Sequence, residues 1–380
     1  TFKLKIGFST EIIFSRDASF AEYVLQKNHK NYAKTKIQTQ DLAKYIGKGL
    51  LTSEGESWKK QRQLIQPAFH KTYLTNLLDK IQAAILKEYK IFQPSVTIDV
   101  FPVFNDLAFQ TVVKSLFSSA ASDEDISRLQ FITEAAQNML VKELRQPYLA
   151  GWFKFSGVIK KHLNLMDEAR QILKRIVNSR RKSEVHHDDL LDMLLQARYD
   201  DGSCMEEEQL IDEILILFTA GHETTSNALT FIAQLLAQHP EWQDKIYLEH
   251  LENSTKGDLM AEVNASKICR QVIEETMRLY PPVHVIDRVN LSDDEFNDMV
   301  FKKGSNVLFS IYEIHRHPDL WDRPEQFLPQ RFAEGDRKFS SQYFPFGAGP
   351  RKCIGNNFAM FEMIIAINEL VKTYRIFPEF

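Results

Sequence analysis

One stretch of the 380-residue chain concentrates the residue types that do chemistry: Phe346-Gly347-Ala348-Gly349-Pro350-Arg351-Lys352-Cys353-Ile354-Gly355. Glycine tolerates positive φ and lets backbone approach a flat partner closely, so Gly347 and Gly349 permit a tight loop while Gly355 leaves room beneath something large. Residues 356–370 read as a helix with apolar Phe358, Ala359, Phe361, Met363, Ile364 and Ile365. Cys353 therefore falls just before a helix N-terminus, where unpaired N–H groups and the helix dipole favour a thiolate. With no second cysteine or histidine nearby, the sulfur does not build a zinc or iron–sulfur centre, since those need several protein ligands.

A second candidate lies inside the longest helical run, residues 206–238, at Ala220-Gly221-His222-Glu223-Thr224-Thr225. Two β-branched threonines after a glycine are unfavourable in mid-helix, and a helix that breaks its local rules there is a candidate site. His222-Glu223 invites a zinc-protease reading, but position 226 is serine, so the second histidine is missing. Trp58 and Arg62 lie four apart on one helical face and could bind carboxylates together. Glu275 and Arg278, spaced i and i+3, can pair on another helix.

Read alone, Cys353 is either a reactive or buried thiol on a glycine-rich turn or the single axial ligand of a haem iron. Its surroundings, F-x-x-G-x-R-x-C-x-G, resemble the haem-binding loop of the cytochrome P450 family, the haem-thiolate monooxygenases. Residues 220–225 resemble that family's A/G-G-x-D/E-T-T, Glu275 to Arg278 its E-x-x-R, and Trp58 to Arg62 its W-x-x-x-R. The five stretches 58–62, 220–225, 275–278, 327–332 and 346–355 follow the family's order over essentially the whole chain.

The resemblance implies a mainly α fold: one large helical domain, 1–380, with a small β-rich region and both termini trimmed. It implies haem b, with Cys353 as iron ligand and Phe346 packing near the sulfur. Trp58, Arg62, Arg288 and Arg351 would neutralise the propionates, and Gly347 and Gly355 would leave room for the ring. Ala220 and Gly221 would open a groove for dioxygen, Thr224 would hydrogen-bond the bound oxygen, and Glu223 would bring protons from solvent. Glu275, Arg278 and Arg331 would form a buried network supporting the haem side, with His315 at a propionate or structural position. Leu42, Tyr45, Ile46, Val283, Val285 and Ile286 would line the substrate pocket.

The reaction implied is insertion of one atom of O2 into a C–H bond of a small organic substrate. Where that carbon bears an ether oxygen, the outcome is O-demethylation. No flavin or nicotinamide fingerprint occurs in the chain, so two electrons must come from a ferredoxin with its reductase or a flavodoxin-type donor. Lys59, Lys60, Arg337 and Lys352 could form the basic face that receives it. The alternatives are a peroxide-driven haem peroxygenase, which typically replaces the acid–alcohol pair kept here, and a non-catalytic haem sensor or electron carrier, which has little use for Thr224.

The elements that must position these residues follow from apolar periodicity. Helices are expected over 19–28, 73–89, 104–116, 126–143, 158–181, 240–251 and 267–279, besides the two above. Strands are expected over 1–13, 283–290, 299–301 and 306–311, a loop-rich stretch over 31–56 and a Pro-bounded linker over 91–102. Residues 146–157 hold four aromatics, Tyr148, Trp152, Phe153 and Phe155, where the family has a lid. His186-His187-Asp188-Asp189 is read as a solvated loop rather than a metal site.

Composition sets the outer bounds. With 44% hydrophobic residues, 27 of them Phe, a large core can be buried. A net charge of −4 gives no general attraction to nucleic acid or acidic lipid. Cys204, Cys269 and Cys353 are odd in number and far apart, which argues against a disulfide framework. No run of about 20 apolar residues spans a bilayer. The expectation is a monomeric, cytoplasmic, bacterial member of the family's fatty-acid-hydroxylase and eukaryotic-like branch, its substrate open among fatty acids, terpenoids, aromatics and O-methylated compounds.

Overall fold

The computed structural model describes residues 1–6, 10–118, 120–183, 185–253 and 257–379. The chain folds as two compact units whose segments alternate along the sequence. One comprises Thr1–Thr35, Ile85–Asn105 and Thr224–Phe380, the other Lys36–Ala84 and Asp106–Glu223. The architecture is mainly helical with small sheets, as expected.

The long helices are α1 Gly55–Ile65, α2 Leu78–Glu88, α3 Val100–Phe117, α4 Asp123–Arg145, α5 Val158–Lys182, α6 Glu207–Gln238, α7 Pro240–Asn253, α8 Lys267–Leu279 and α9 Asn356–Thr373. Strands β1 Phe2–Ile6, β2 Thr10–Ser15, β3 Tyr32–Ala33, β4 Val285–Asn290 and β7 Asn306–Ser310 form a sheet of order β1-β2-β7-β4-β3. Among the described residues only β2 and β7 pair in parallel; β4 pairs antiparallel with β7, placing Arg288 opposite Val307. Strands β5 Asp294–Phe296 and β6 Met299–Phe301 make a separate hairpin.

The first unit is organised around α8 and α9. Helix α8 stops where Tyr280-Pro281-Pro282 denies it a further turn, because proline disfavours helical geometry in the residue before it. At its start, Glu249 on α7 accepts from the backbone of Ile268 at 2.7 Å and of Cys269 at 3.2 Å, supplying the cap that Ser266 does not, its hydroxyl donating instead to the Glu262 carbonyl. Phe20 stacks on Phe296 and Phe301 at 4.9 and 5.1 Å beneath the sheet. Tyr89 Oη donates to the Ala366 carbonyl of α9 at 2.9 Å.

In the second unit, α4 and α5 are joined by Arg128 to Glu168 at 2.6 Å and Arg175 to Asp125 at 2.6 Å. Buried Arg180 bonds Asp189, Asp192 and the Phe117 carbonyl. This corrects the reading of 186–189 as merely solvated: Asp189 is fully buried and caps the helix Leu190–Gln196. Lys80 Nζ donates to the His187 and Asp188 carbonyls.

Other departures have local causes. The 31–56 stretch is not all loop, for residues 37–46 wind into π- and α-helix and bury Tyr45 and Ile46. Pro102 does not bound a linker; it sits in the first turn of α3, where its missing N–H costs nothing. The first strand divides into β1 and β2, residues 7–9 lying outside the described ones. The strand expected from Val283 begins at Val285.

Candidate haem-thiolate site

In the first unit, the loop before α9 has the form its glycines allow. Gly347 and Gly349 adopt φ of 68° and 67°. The Cys353 N–H donates to the Phe346 carbonyl at 2.9 Å and closes the loop, leaving the cysteine exposed three residues before α9 begins. The glycines are not equivalent. A Cβ at Gly349 would lie 2.0 Å from the Leu25 carbonyl oxygen, whereas one at Gly355 would meet only Cys353 Sγ, at 4.0 Å, outside its own helix. Gly349→Ala is therefore expected to lower stability by at least about 1–2 kcal/mol from the left-handed backbone alone, and Gly355→Ala, at φ −84°, by far less. Urea denaturation of the two variants measures the difference.

The buried network behind this loop lies within the same unit. Arg278 donates to Glu275 through Nε and Nη2, both at 2.8 Å, and Arg331 Nε reaches Glu275 Oε1 at 3.2 Å. The remaining Arg278 donors go to the carbonyls of His315, Pro324 and Gln326. His315 is fully buried; its Nε2 accepts from the Phe344 N–H at 2.9 Å, which leaves the ring proton on Nδ1. Burial, reinforced by the Arg278 charge, holds it neutral with its pKa pushed down to about 3. Of its two expected roles, these contacts are the structural one. Arg288 is buried on β4 with Nη1 on the Asp287 carbonyl, and Arg351 is half-buried in the turn Gly349–Arg351. Val285 and Ile286 are half-buried and Val283 is 44% exposed.

In the second unit, Trp58 and Arg62 line one groove on α1 with Gln66, Pro67, His70 and Tyr73. Arg62 Nε donates to Gln66 Oε1 at 3.1 Å. Tyr45 is buried, with Oη on Glu143 at 2.6 Å, and Leu42 is half-buried. Lys59 and Lys60 here and Lys352 in the first unit are exposed, and the side chain of Arg337 lies outside those described.

Along α6 the motif residues divide by face. Ala220 and Glu223 are exposed and Thr224 and Asn227 half-buried, an uncovered stripe in a 32-residue helix whose Phe218, His222, Thr225 and Ser226 are buried. Gly221 is not on that stripe: its missing Cβ would lie 3.0 Å from Val112 on α3, so its smallness serves helix packing. Although Glu223 is exposed as a residue, desolvation by the protein packed around its carboxyl pushes that group up, and Gln137 Nε2 donates to its Oε2 at 3.1 Å. Sequence reasoning missed Gln137, which no motif marks.

The residues fit the group that the loop implies. The set offers one soft ligand just before a helix N-terminus, a loop turned by the left-handed Gly347 and Gly349 and closed on the Phe346 carbonyl, and arginines suited to carboxylates. Residues 1–379 match the family model described as Cytochrome P450. The chain belongs to the cytochrome P450 family. This P450 is 30% identical over 364 residues to "Cytochrome P450 CYP72A613" of Trigonella foenum-graecum, covering 89% of this chain and 69% of that one. It is 28% identical to the "Cyclooctat-9-en-7-ol 5-monooxygenase" of Streptomyces melanosporofaciens, covering 88% and 73%. Its fold matches the structure titled "Retinoic acid bound cyanobacterial CYP120A1" with a TM-score of 0.82 at 25% identity, over 98% of this chain and 84% of that one. This P450 is accordingly an oxidoreductase of the monooxygenase class with a haem-iron cofactor. Among the described residues no helix is long and apolar enough to cross a membrane.

Proposed function

We propose that this P450 binds haem b through Cys353 and hydroxylates a largely apolar isoprenoid. The observation that carries the cofactor assignment is the exposed cysteine in a loop closed by its own N–H, immediately before α9. The substrate class is supported by the relatives, one named for cyclooctat-9-en-7-ol and one titled as bound to retinoic acid. When bound, thiolate-ligated haem supplies reductive activation of dioxygen. The balance is one C–H bond, O2, two electrons and two protons in, one C–OH and one water out. Where the attacked carbon bears an ether oxygen, the same insertion ends in O-demethylation.

The chain's own groups orient substrate, exclude water and move protons. Trp58, Arg62, Arg288 and Arg351 hold the propionates, and Leu42, Tyr45, Ile46, Val283, Val285 and Ile286 are offered to the substrate. The Glu223 carboxyl, raised by desolvation, gives protons to the Thr224 hydroxyl, which holds one toward the oxygen to be released as water. Electrons come from a separate ferredoxin or flavodoxin-type protein that meets Lys59, Lys60 and Lys352. A library screen for the spin-state change in the Soret band tests the substrate assignment; a response confined to fatty acids or O-methylated compounds would replace the isoprenoid reading.

Thr224→Ala is expected to keep reductant consumption and divert it to peroxide. Losing a hydrogen bond to a developing charge, about 1.5–3 kcal/mol, lowers product per electron pair by about tenfold to a hundredfold. Unchanged coupling in this variant would remove the hydroxyl from the proton path.

A further inference from the structure

Helix α4 turns three polar side chains, Gln130, Glu134 and Gln137, towards α3 and α6. Gln130 Nε2 donates to Asp106 Oδ1 on α3 at 2.8 Å and to Glu134 Oε1 at 3.3 Å. Glu134 Oε1 lies 3.8 Å from His222 Nε2. The His222 ring is buried edge-on against Phe109, and desolvation keeps it neutral although Glu134 and Asp106 pull the other way. Gln137 stands apart from this chain of contacts. Its amide nitrogen donates to Glu223 Oε2 at 3.1 Å and to the Thr219 carbonyl at 3.4 Å, one turn earlier on α6.

The second contact fixes the direction of the first. A flipped amide would set its oxygen against the Thr219 carbonyl, so the NH2 group faces α6 and Glu223 Oε2 accepts from it. An acidic proton on Glu223 is then favoured on Oε1, because a protonated Oε2 would be the weaker acceptor for the amide. The donor is also neutral: a lysine or arginine here would make a charge-assisted bond, roughly twice as strong, and fix the carboxylate in its ionised form. We infer that Gln137 is the positioning residue of the Glu223 carboxyl, holding Oε2 with a neutral amide so that Oε1 can take up and release the proton. This rests on the reading of Glu223 as proton donor. It adds a residue that the motif A-G-H-E-T-T does not contain.

The test uses the haem-loaded enzyme with Gln137→Leu, Gln137→Lys and, as reference, Glu223→Gln. Two readouts are followed across pH: product per electron pair, and the Glu223 carboxyl stretch isolated by infrared difference against Glu223→Gln, which requires no turnover. Gln137→Lys is expected to move the carboxyl midpoint down by about 1–3 pH units and Gln137→Leu to move it up, with product per electron pair at neutral pH falling in both. Opposite shifts from two replacements at one position are not produced by a packing role. A wild-type midpoint in both variants overturns the inference while Glu223→Gln still uncouples. If Glu223→Gln itself leaves coupling intact, the donor role and the inference fail together.

Discussion

Cys353→Ala loses the reduced carbon-monoxide absorption band of a thiolate-bound haem, and monooxygenation falls by at least about a thousandfold, or about 4 kcal/mol of barrier. Neither of the other cysteines can take its place. Cys269 is fully buried in α8, where desolvation pushes its thiol far above the usual range and keeps it a thiol. Cys204 sits in an isolated bridge with Arg198, outside the glycine-rich loop that the Cys353 N–H closes on the Phe346 carbonyl. Cys353→His separates ligation from chemistry: an imidazole can bind iron but does not push electron density as a thiolate does, so haem is retained with a shifted band and little turnover. An unshifted band in the alanine variant would end the assignment of Cys353 as ligand, and with it the functional reading.

Arg278→Leu is expected to destabilise the first unit by about 3–5 kcal/mol, because it strands the Glu275 carboxylate in the interior. Both side chains are fully inaccessible to solvent. The five donor hydrogens of Arg278 meet Glu275 twice and the carbonyls of His315, Pro324 and Gln326 once each. Arg278→Lys is not a conservative rescue, since a single ammonium cannot reproduce that planar fork. Urea unfolding followed by circular dichroism gives the loss directly; a midpoint within error of wild type would show that Arg331 and the Leu328 N–H, both on Glu275 Oε1, suffice for the carboxylate.

The sequence made local features legible where one short stretch determined the outcome. Helix α8 falls at the expected residues because apolar spacing and a Pro-Pro stop agree, and α9 starts at Asn356 as the loop pattern requires. The pairing of Glu275 with Arg278 follows from helical spacing alone. Features settled across distance were not legible. The necessity of Gly349 comes from Leu25, over 300 positions earlier, and the burial of Tyr45 is completed by Glu143, about 100 positions later. Strand β5 is only three residues long, made by a turn in which Asn297 and Asp298 both take positive φ. For the α6 motif, spacing shows that Gly221 and Ala220 diverge by about 100°, but only the position of Val112 shows which of them packing demands.

The connection from His315 to Gln326 contains no strand and no long helix, and its conformation is read out at three points by one guanidinium through main-chain oxygens. Every amino acid carries such an oxygen. Apart from buried His315 and Trp321, whose side chains make contacts of their own, substitutions through this segment should thus be tolerated wherever the chain trace survives, while an insertion or deletion of a single residue, which rotates those acceptors away, should not.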